Sequence, residues 1–112
     1  MEEFRQPEYA SVFPEELKRR LDSGERLQLR DVREQWEFAL ARIEGAALAP
    51  MSDLAREMPR IDPDRETVVI CHHGVRSAHV VRLLQRAGFE RVANLEGGLD
   101  AYAEVDPEIP RY

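Results

Sequence analysis

The sequence predicts a three-layer α/β fold with a mainly parallel sheet. Two observations carry this expectation. Short runs of strand character alternate with helical stripes along the whole chain of 112 residues, the pattern that puts helices on both faces of a parallel sheet. The run Thr67-Val68-Val69-Ile70-Cys71 is uninterrupted and β-branched, as expected of a central strand covered on both sides. The length suits one domain over residues 1–112, since a domain takes about 150 residues.

Each element has its own signal. Phe13-Pro14-Glu15-Glu16, followed by Leu17 and Leu21, reads as a short helix with proline and acidic residues in its first turn and Ser23-Gly24 beyond its end. Leu27 to Val32 alternates apolar and polar residues, a strand signal, and Glu34 to Leu40 resumes helical character with Trp36 and Leu40 four apart. Ala46 to Leu48 fits a brief strand stopped by Pro50, and Met51 to Met58 a short helix. Pro59 and Asp62-Pro63-Asp64 then make a turn. After the central strand and a four-residue loop, Val80, Val81, Leu83, Leu84 and Ala87 form a helical stripe ending at Gly88, a natural left-handed cap. Arg91 to Leu95 is a last strand, Gly97-Gly98 a break, and Leu99 to Ala103 a final helical turn or two.

Composition narrows the function. An apolar fraction of 43% with six Gly and seven Pro describes a folded chain. A net charge of −6 is a poor footprint for binding nucleic acid or an anionic membrane. No apolar run is long enough to span a bilayer. The start, Met1 to Arg5, lacks the basic and apolar regions of a secretory leader, so the cytoplasm is the expected compartment. The lone cysteine, Cys71, has no partner for an internal disulfide or a dithiol cycle and cannot build a cysteine-rich zinc site.

The segment Cys71-His72-His73-Gly74-Val75-Arg76-Ser77 leaves the central strand and enters a helix. Strand carboxyl ends are where parallel sheets bind ligands. The backbone N–H groups of a tight loop and a first helical turn lack intrahelical partners and form an anion cradle. A thiol facing that cradle is pushed toward thiolate, its nucleophilic form. Gly74 permits an unusual backbone angle, and Arg76 adds planar cationic donors. The site is expected to take an anionic or sulfur-bearing substrate. His72 and His73 are expected to shape the loop or touch substrate, not to bind metal, because adjacent histidines rarely chelate one tetrahedral ion. His79 is read as structural.

These residues resemble the single-domain rhodaneses, the thiosulfate sulfurtransferases, over nearly the whole chain. Leu29-Arg30-Asp31-Val32-Arg33 followed by Trp36-Glu37-Phe38 is similar to the family's first signature. Ile43 to Ala46 resembles the segment that follows it, Cys71 to Ser77 the active-site loop, and Asn94-Leu95-Glu96-Gly97-Gly98-Leu99 the closing signature. The resemblance implies a five-stranded parallel sheet and no cofactor or metal. It makes Cys71 the sulfur carrier, with the amides of His72 to Ser77 around the outer sulfur and Arg76 closing the loop. It implies a small sulfur-containing anion as donor and, as acceptor, cyanide, a thiol, thioredoxin or a sulfur-carrier protein. Asp31 and Arg33 brace the region or form a structural ion pair outside the pocket.

The chain also departs from the family. Arg42 and Glu44 stand where a His and a Pro are frequent, and Arg42 either reaches the pocket mouth or is a solvated helix-end charge. Tyr102 stands where a Trp is common, which preserves core packing. The ending from Val105 to Tyr112 is similar to that of rhodanese domains fused to adenylating enzymes. Two rivals are a binding module without catalysis and a cysteine phosphatase or arsenate reductase. The latter two place five residues between Cys and Arg, whereas His72 to Val75 are four.

Overall fold

The computed structural model describes residues 10–112. The stretch Met1 to Arg5, read above for a leader, lies outside them. Strand β1 (Ala10–Val12) leads through helix α1 (Pro14–Asp22) to β2 (Gln28–Asp31), and α2 (Gln35–Leu40) to β3 (Ala47–Leu48). Beyond α3 (Leu54–Glu57) come β4 (Thr67–Ile70), α4 (Val75–Arg86), β5 (Val92–Leu95) and α5 (Gly98–Tyr102). The five strands are parallel in the order β1-β5-β4-β2-β3, so β4 is central. All four of its residues are buried.

Alternation along β4 divides the core in two. Val68 and Ile70 join Leu17 of α1, Leu99 and Tyr102 of α5, and Ala41 and Ile43 beyond α2. Val69 and Cys71 point the other way, toward Val80, Val81 and Leu84 of α4. Successive side chains of a strand face opposite sides, so one apolar run fills both halves and makes three layers. The lone cysteine enters the core on the α4 side, at the carboxyl end of the central strand.

Several expectations need correction. β1 carried no sequence signal: it is three residues long, lies at the sheet edge and buries only Val12. Trp36 and Leu40 are helical but face outward, 62% and 53% exposed, and α2 instead buries Glu37. Met51 to Met58 is not one helix. A 3-10 turn at Met51–Asp53, the four-residue α3, and a second 3-10 turn at Met58–Arg60 follow one another. The backbone leaves helical angles at Asp53, φ −128° and ψ 32°, which separates the first turn from α3, and Pro59, with no N–H to give, stops the helix beyond it. In α4, Leu83 is only half-buried and Ala87 is exposed. Gly88 does hold the expected left-handed angle, φ +102°. No helix among the described residues is long and apolar enough to cross a membrane.

Helix α5 positions the site. Its first amides reach the chain leaving β4: Leu99 N–H donates to the Cys71 carbonyl at 2.8 Å and Asp100 N–H to the His72 carbonyl at 3.0 Å. That approach requires Gly98, which has φ +67°, and whose Cβ, if it had one, would overlap the His72 carbonyl and lie 2.6 Å from the Cys71 oxygen. Gly98→Ala is therefore expected to cost about 2–4 kcal/mol. Gly88→Ala, equally left-handed but with nothing within 4 Å, is expected to cost only about 1 kcal/mol. Urea unfolding of the two variants checks this, and equal losses would show that backbone strain, not the α5 contact, sets the cost.

Candidate active site

The thiol of Cys71 is 1% exposed and sits inside the turn that joins β4 to α4. Gly74 N–H donates to Sγ at 3.1 Å, Ser77 N–H at 3.3 Å, and the Ser77 hydroxyl lies 3.2 Å away. Gly74 makes this possible. It has φ +93°, and a Cβ there would press on Gly97 N at 3.1 Å and the Leu95 carbonyl at 3.2 Å. The first helical bond of α4 runs from Ala78 N–H to the Gly74 carbonyl. The N–H groups of Val75 and Arg76 precede it and have no intrahelical partner. The side chain of Val75 is 76% exposed, so the loop carries an apolar tip beside its amides.

A chain of charged groups backs the loop. Arg76 is held by Glu37 through two bonds, at 2.8 and 2.9 Å. The Tyr112 hydroxyl donates to the same carboxylate at 3.0 Å and accepts from Arg33 Nη1 at 2.6 Å. Arg33 in turn grips Asp31 at 2.8 and 2.7 Å, and both side chains are fully buried. Arg33 also donates to the carbonyls of Glu37 and Ala41. The hydrogen-bonded Glu37 carboxylate raises Arg76 above its usual range. The reciprocal effect holds the Glu37 carboxyl down at about 2, chiefly through the Arg76 bonds.

His72 is sandwiched between His73 and Tyr112, with ring centroids 4.1 Å apart on either side. Burial first, and then the neighbouring His73, lower its pKa. His73 is exposed and 4.0 Å from Asp100, which Arg111 holds at 3.1 Å. Donor atoms of His72, His73 and Asp100 lie within 4.8 Å of one another and are the group that could hold a metal among the described residues. The parallel stacking of the two imidazoles aims their edges side by side and not at a common point.

The structure thus gathers Cys71, His72, His73, Gly74, Val75, Arg76 and Ser77 into one turn. Asp31 and Arg33 stand behind it as a buried pair reaching it only through Tyr112 and Glu37. Arg42 is elsewhere: it stacks over Phe38, 4.7 Å from the ring centroid, in a surface groove with Ile43 to Ala46. His79 is exposed on α4. Glu37, Asn94 and Tyr112 were not singled out as site residues. Glu37 had one available signal, its position three residues after Glu34, where it accepts from the Glu34 N–H at 3.1 Å. Asn94 had another, as a polar residue at the inward parity of Val92 in an otherwise apolar strand.

Fold and site define a small parallel α/β domain built around one cysteine sulfur in an amide cradle. Comparison with known proteins gives this class its family. The rhodanese-like domain matches residues 13–105, and the chain belongs to that family. It is 36% identical to the probable adenylyltransferase/sulfurtransferase MoeZ of Mycobacterium tuberculosis, over 92% of this chain but 27% of MoeZ. The chain therefore spans about a quarter of that relative. It is 40% identical to the putative sulfurtransferase YtwF of Bacillus subtilis, covering 82% of this chain and 89% of YtwF. A rhodanese-like domain protein of Staphylococcus aureus superposes with a TM-score of 0.81 at 31% identity, covering 92% and 98% of the two chains.

The depressed Glu37 carboxyl links folding to pH. A carboxyl held below its ordinary 4.5 stabilises the fold above that pH, and the contribution is lost as pH falls toward 2. Glu37→Gln is expected to lower stability at neutral pH by about 2–3 kcal/mol and to flatten the acid limb between those values. Denaturant unfolding across a pH series measures both effects.

Proposed function

We propose that the protein is a sulfurtransferase in which Cys71 carries a sulfane sulfur as a persulfide. The observation that carries this reading is the position of Sγ, which accepts amide bonds from Gly74 and Ser77 while the Val75 and Arg76 amides stay free of the helix. Amides that converge on a point stabilise charge there without reorganising. With thiosulfate as donor, the Cys71 thiolate attacks the outer sulfur and a new S–S bond forms. The old S–S bond breaks and its electron pair leaves with sulfite. The outer sulfur of the persulfide then carries the negative charge inside the loop. An acceptor nucleophile attacks that sulfur and Cys71 leaves as thiolate. The four residues between Cys71 and Arg76 make a ring suited to one sulfur atom, not to a phosphate with three oxygens.

Arg76 keeps a positive charge beside the sulfur and draws the anionic donor, with Glu37 fixing its orientation. His72 and His73 form one wall of the mouth. Cyanide serves as an assay acceptor. In the cell we propose a thiol, thioredoxin or a sulfur-carrier protein, and similarity to the putative sulfur carrier protein YrkF of Bacillus subtilis, at 33% identity over 82% of this chain, supports the last. The reducing cytoplasm suits a chain with one unpaired thiol.

In a thiosulfate:cyanide assay, Cys71→Ser is expected to reduce thiocyanate formation to background while leaving the thermal midpoint nearly unchanged. Retained activity would remove Cys71 from the mechanism. Arg76→Ala is expected to raise the half-saturating thiosulfate concentration about tenfold and to destabilise the fold, since Glu37 loses its partner. Unchanged saturation would remove Arg76 from donor binding.

A further inference from the structure

The contacts of Cys71 continue beyond its sulfur into β5. Ser77 Oγ, 3.2 Å from Sγ, is also hydrogen-bonded to the side-chain oxygen of Asn94. The direction of that second bond is fixed from its far end. Asn94 Nδ2 donates to the Gly74 carbonyl at 3.2 Å and to the Glu96 carboxylate at 3.0 Å. An amide nitrogen only donates, so these two acceptors turn it toward them and aim the amide oxygen at Ser77. That oxygen only accepts, so Ser77 must be the donor. A hydroxyl has a single proton. While it points at Asn94, Ser77 meets the sulfur with a lone pair, a partner for S–H but not for a thiolate.

Cys71, Ser77 and Asn94 are all at most 1% exposed, and a buried oxygen that loses its donor stays unpaired. We propose that Asn94 is a positioning residue that acts on Cys71 through the Ser77 hydroxyl. It favours the states of Cys71 with no charge on Sγ. These are the thiol, which donates S–H to Ser77, and the persulfide, whose charge sits on the outer sulfur. To stabilise the thiolate the hydroxyl must rotate away from Asn94. A disfavoured thiolate is a poorer leaving group, so Asn94 lengthens the time Cys71 holds its sulfur. This consequence rests on Cys71 being the sulfur carrier, whereas the hydroxyl orientation itself does not.

Other charges also face the sulfur. Arg76 does so from α4 with Glu37 behind it, while His72 and His73 lie in the loop and Asp100 of α5 lies 4.0 Å from His73. Glu96 follows β5 and is also held by Ser11 at 3.0 Å. Removing Asn94 alters only Glu96 among them directly. A less well-paired Glu96 carboxylate would oppose thiolate formation, the opposite of the effect expected from freeing Ser77.

The test is the pH dependence of Cys71 alkylation by iodoacetamide, followed by intact mass on the full chain. It compares the unaltered protein, Asn94→Val, Ser77→Ala and the double variant. Asn94→Val is expected to lower the alkylation midpoint by about one pH unit, and to shift nothing once Ser77 is alanine. No shift, or the same shift in both backgrounds, would overturn the proposal. If Asn94→Val fails to fold, the unaltered protein decides through the Asn94 side-chain carbonyl resonance. It is expected to move with the alkylation midpoint, and a resonance constant across that range would overturn the proposal. Failure of Cys71 to take sulfur from thiosulfate, with the Asn94 shift intact, would strike the proposed function and leave this inference standing.

Discussion

The constraint on which the site depends is the separation of backbone polarity in the turn after β4, with amides inward and carbonyls outward. A loop that turns its N–H groups toward a buried sulfur gives them that sulfur as acceptor and must find donor partners for its carbonyls. Three of them have one. Cys71 and His72 are tied by the first amides of α5, and Gly74 by both Ala78 N–H and the Asn94 side chain. Two features well beyond the loop in the chain, the Gly97-Gly98 break and the inward Asn94, serve this one arrangement. α5 is short, yet its first amides hold the carbonyls of Cys71 and His72.

Behind the loop lies a second device with a different logic. Among the described residues Arg33 is the largest fully buried side chain, in a chain whose net charge is −6. A buried guanidinium is costly unless its donors are matched, and this one is matched by Asp31, Tyr112 and the carbonyls of Glu37 and Ala41. The result is a tie rather than a large net gain in stability. It locks the end of β2, the helix α2 and the final residue of the chain to Arg76, and so to the loop. Because Glu37 faces the site from α2, that helix turns Trp36 and Leu40 outward. A half-buried ion pair, Glu37 with Arg76, takes the place of the apolar side chains that a helix of this pattern would ordinarily bury.

What could be read from the sequence was what is local. The β4 run, the α4 stripe, its Gly88 cap and the loop from Cys71 to Ser77 are continuous in the chain, and their physics is decided within a few residues. The partners are not local. Arg76 and Glu37 are 39 residues apart, Ser77 and Asn94 17, and Arg33 and Tyr112 79. No periodicity encodes such pairs. The β1 strand was invisible for a related reason, since it exists by pairing with β5 and buries only one side chain of its own. The helix expected from Met51 to Met58 shows the opposite failure, a local pattern broken where Asp53 leaves helical angles. Arg42 stood out as a departure from the family pattern, but Phe38, one turn earlier on α2, holds it away from the loop.

The inward amides are proposed to hold a sulfur on Cys71. The most direct measurement is the intact mass of the protein after incubation with thiosulfate and again after cyanide. A gain of one sulfur atom, absent when Cys71 is replaced and lost to cyanide as thiocyanate appears, is the expected result. An unchanged mass, with the thiol still open to alkylation, would contradict it.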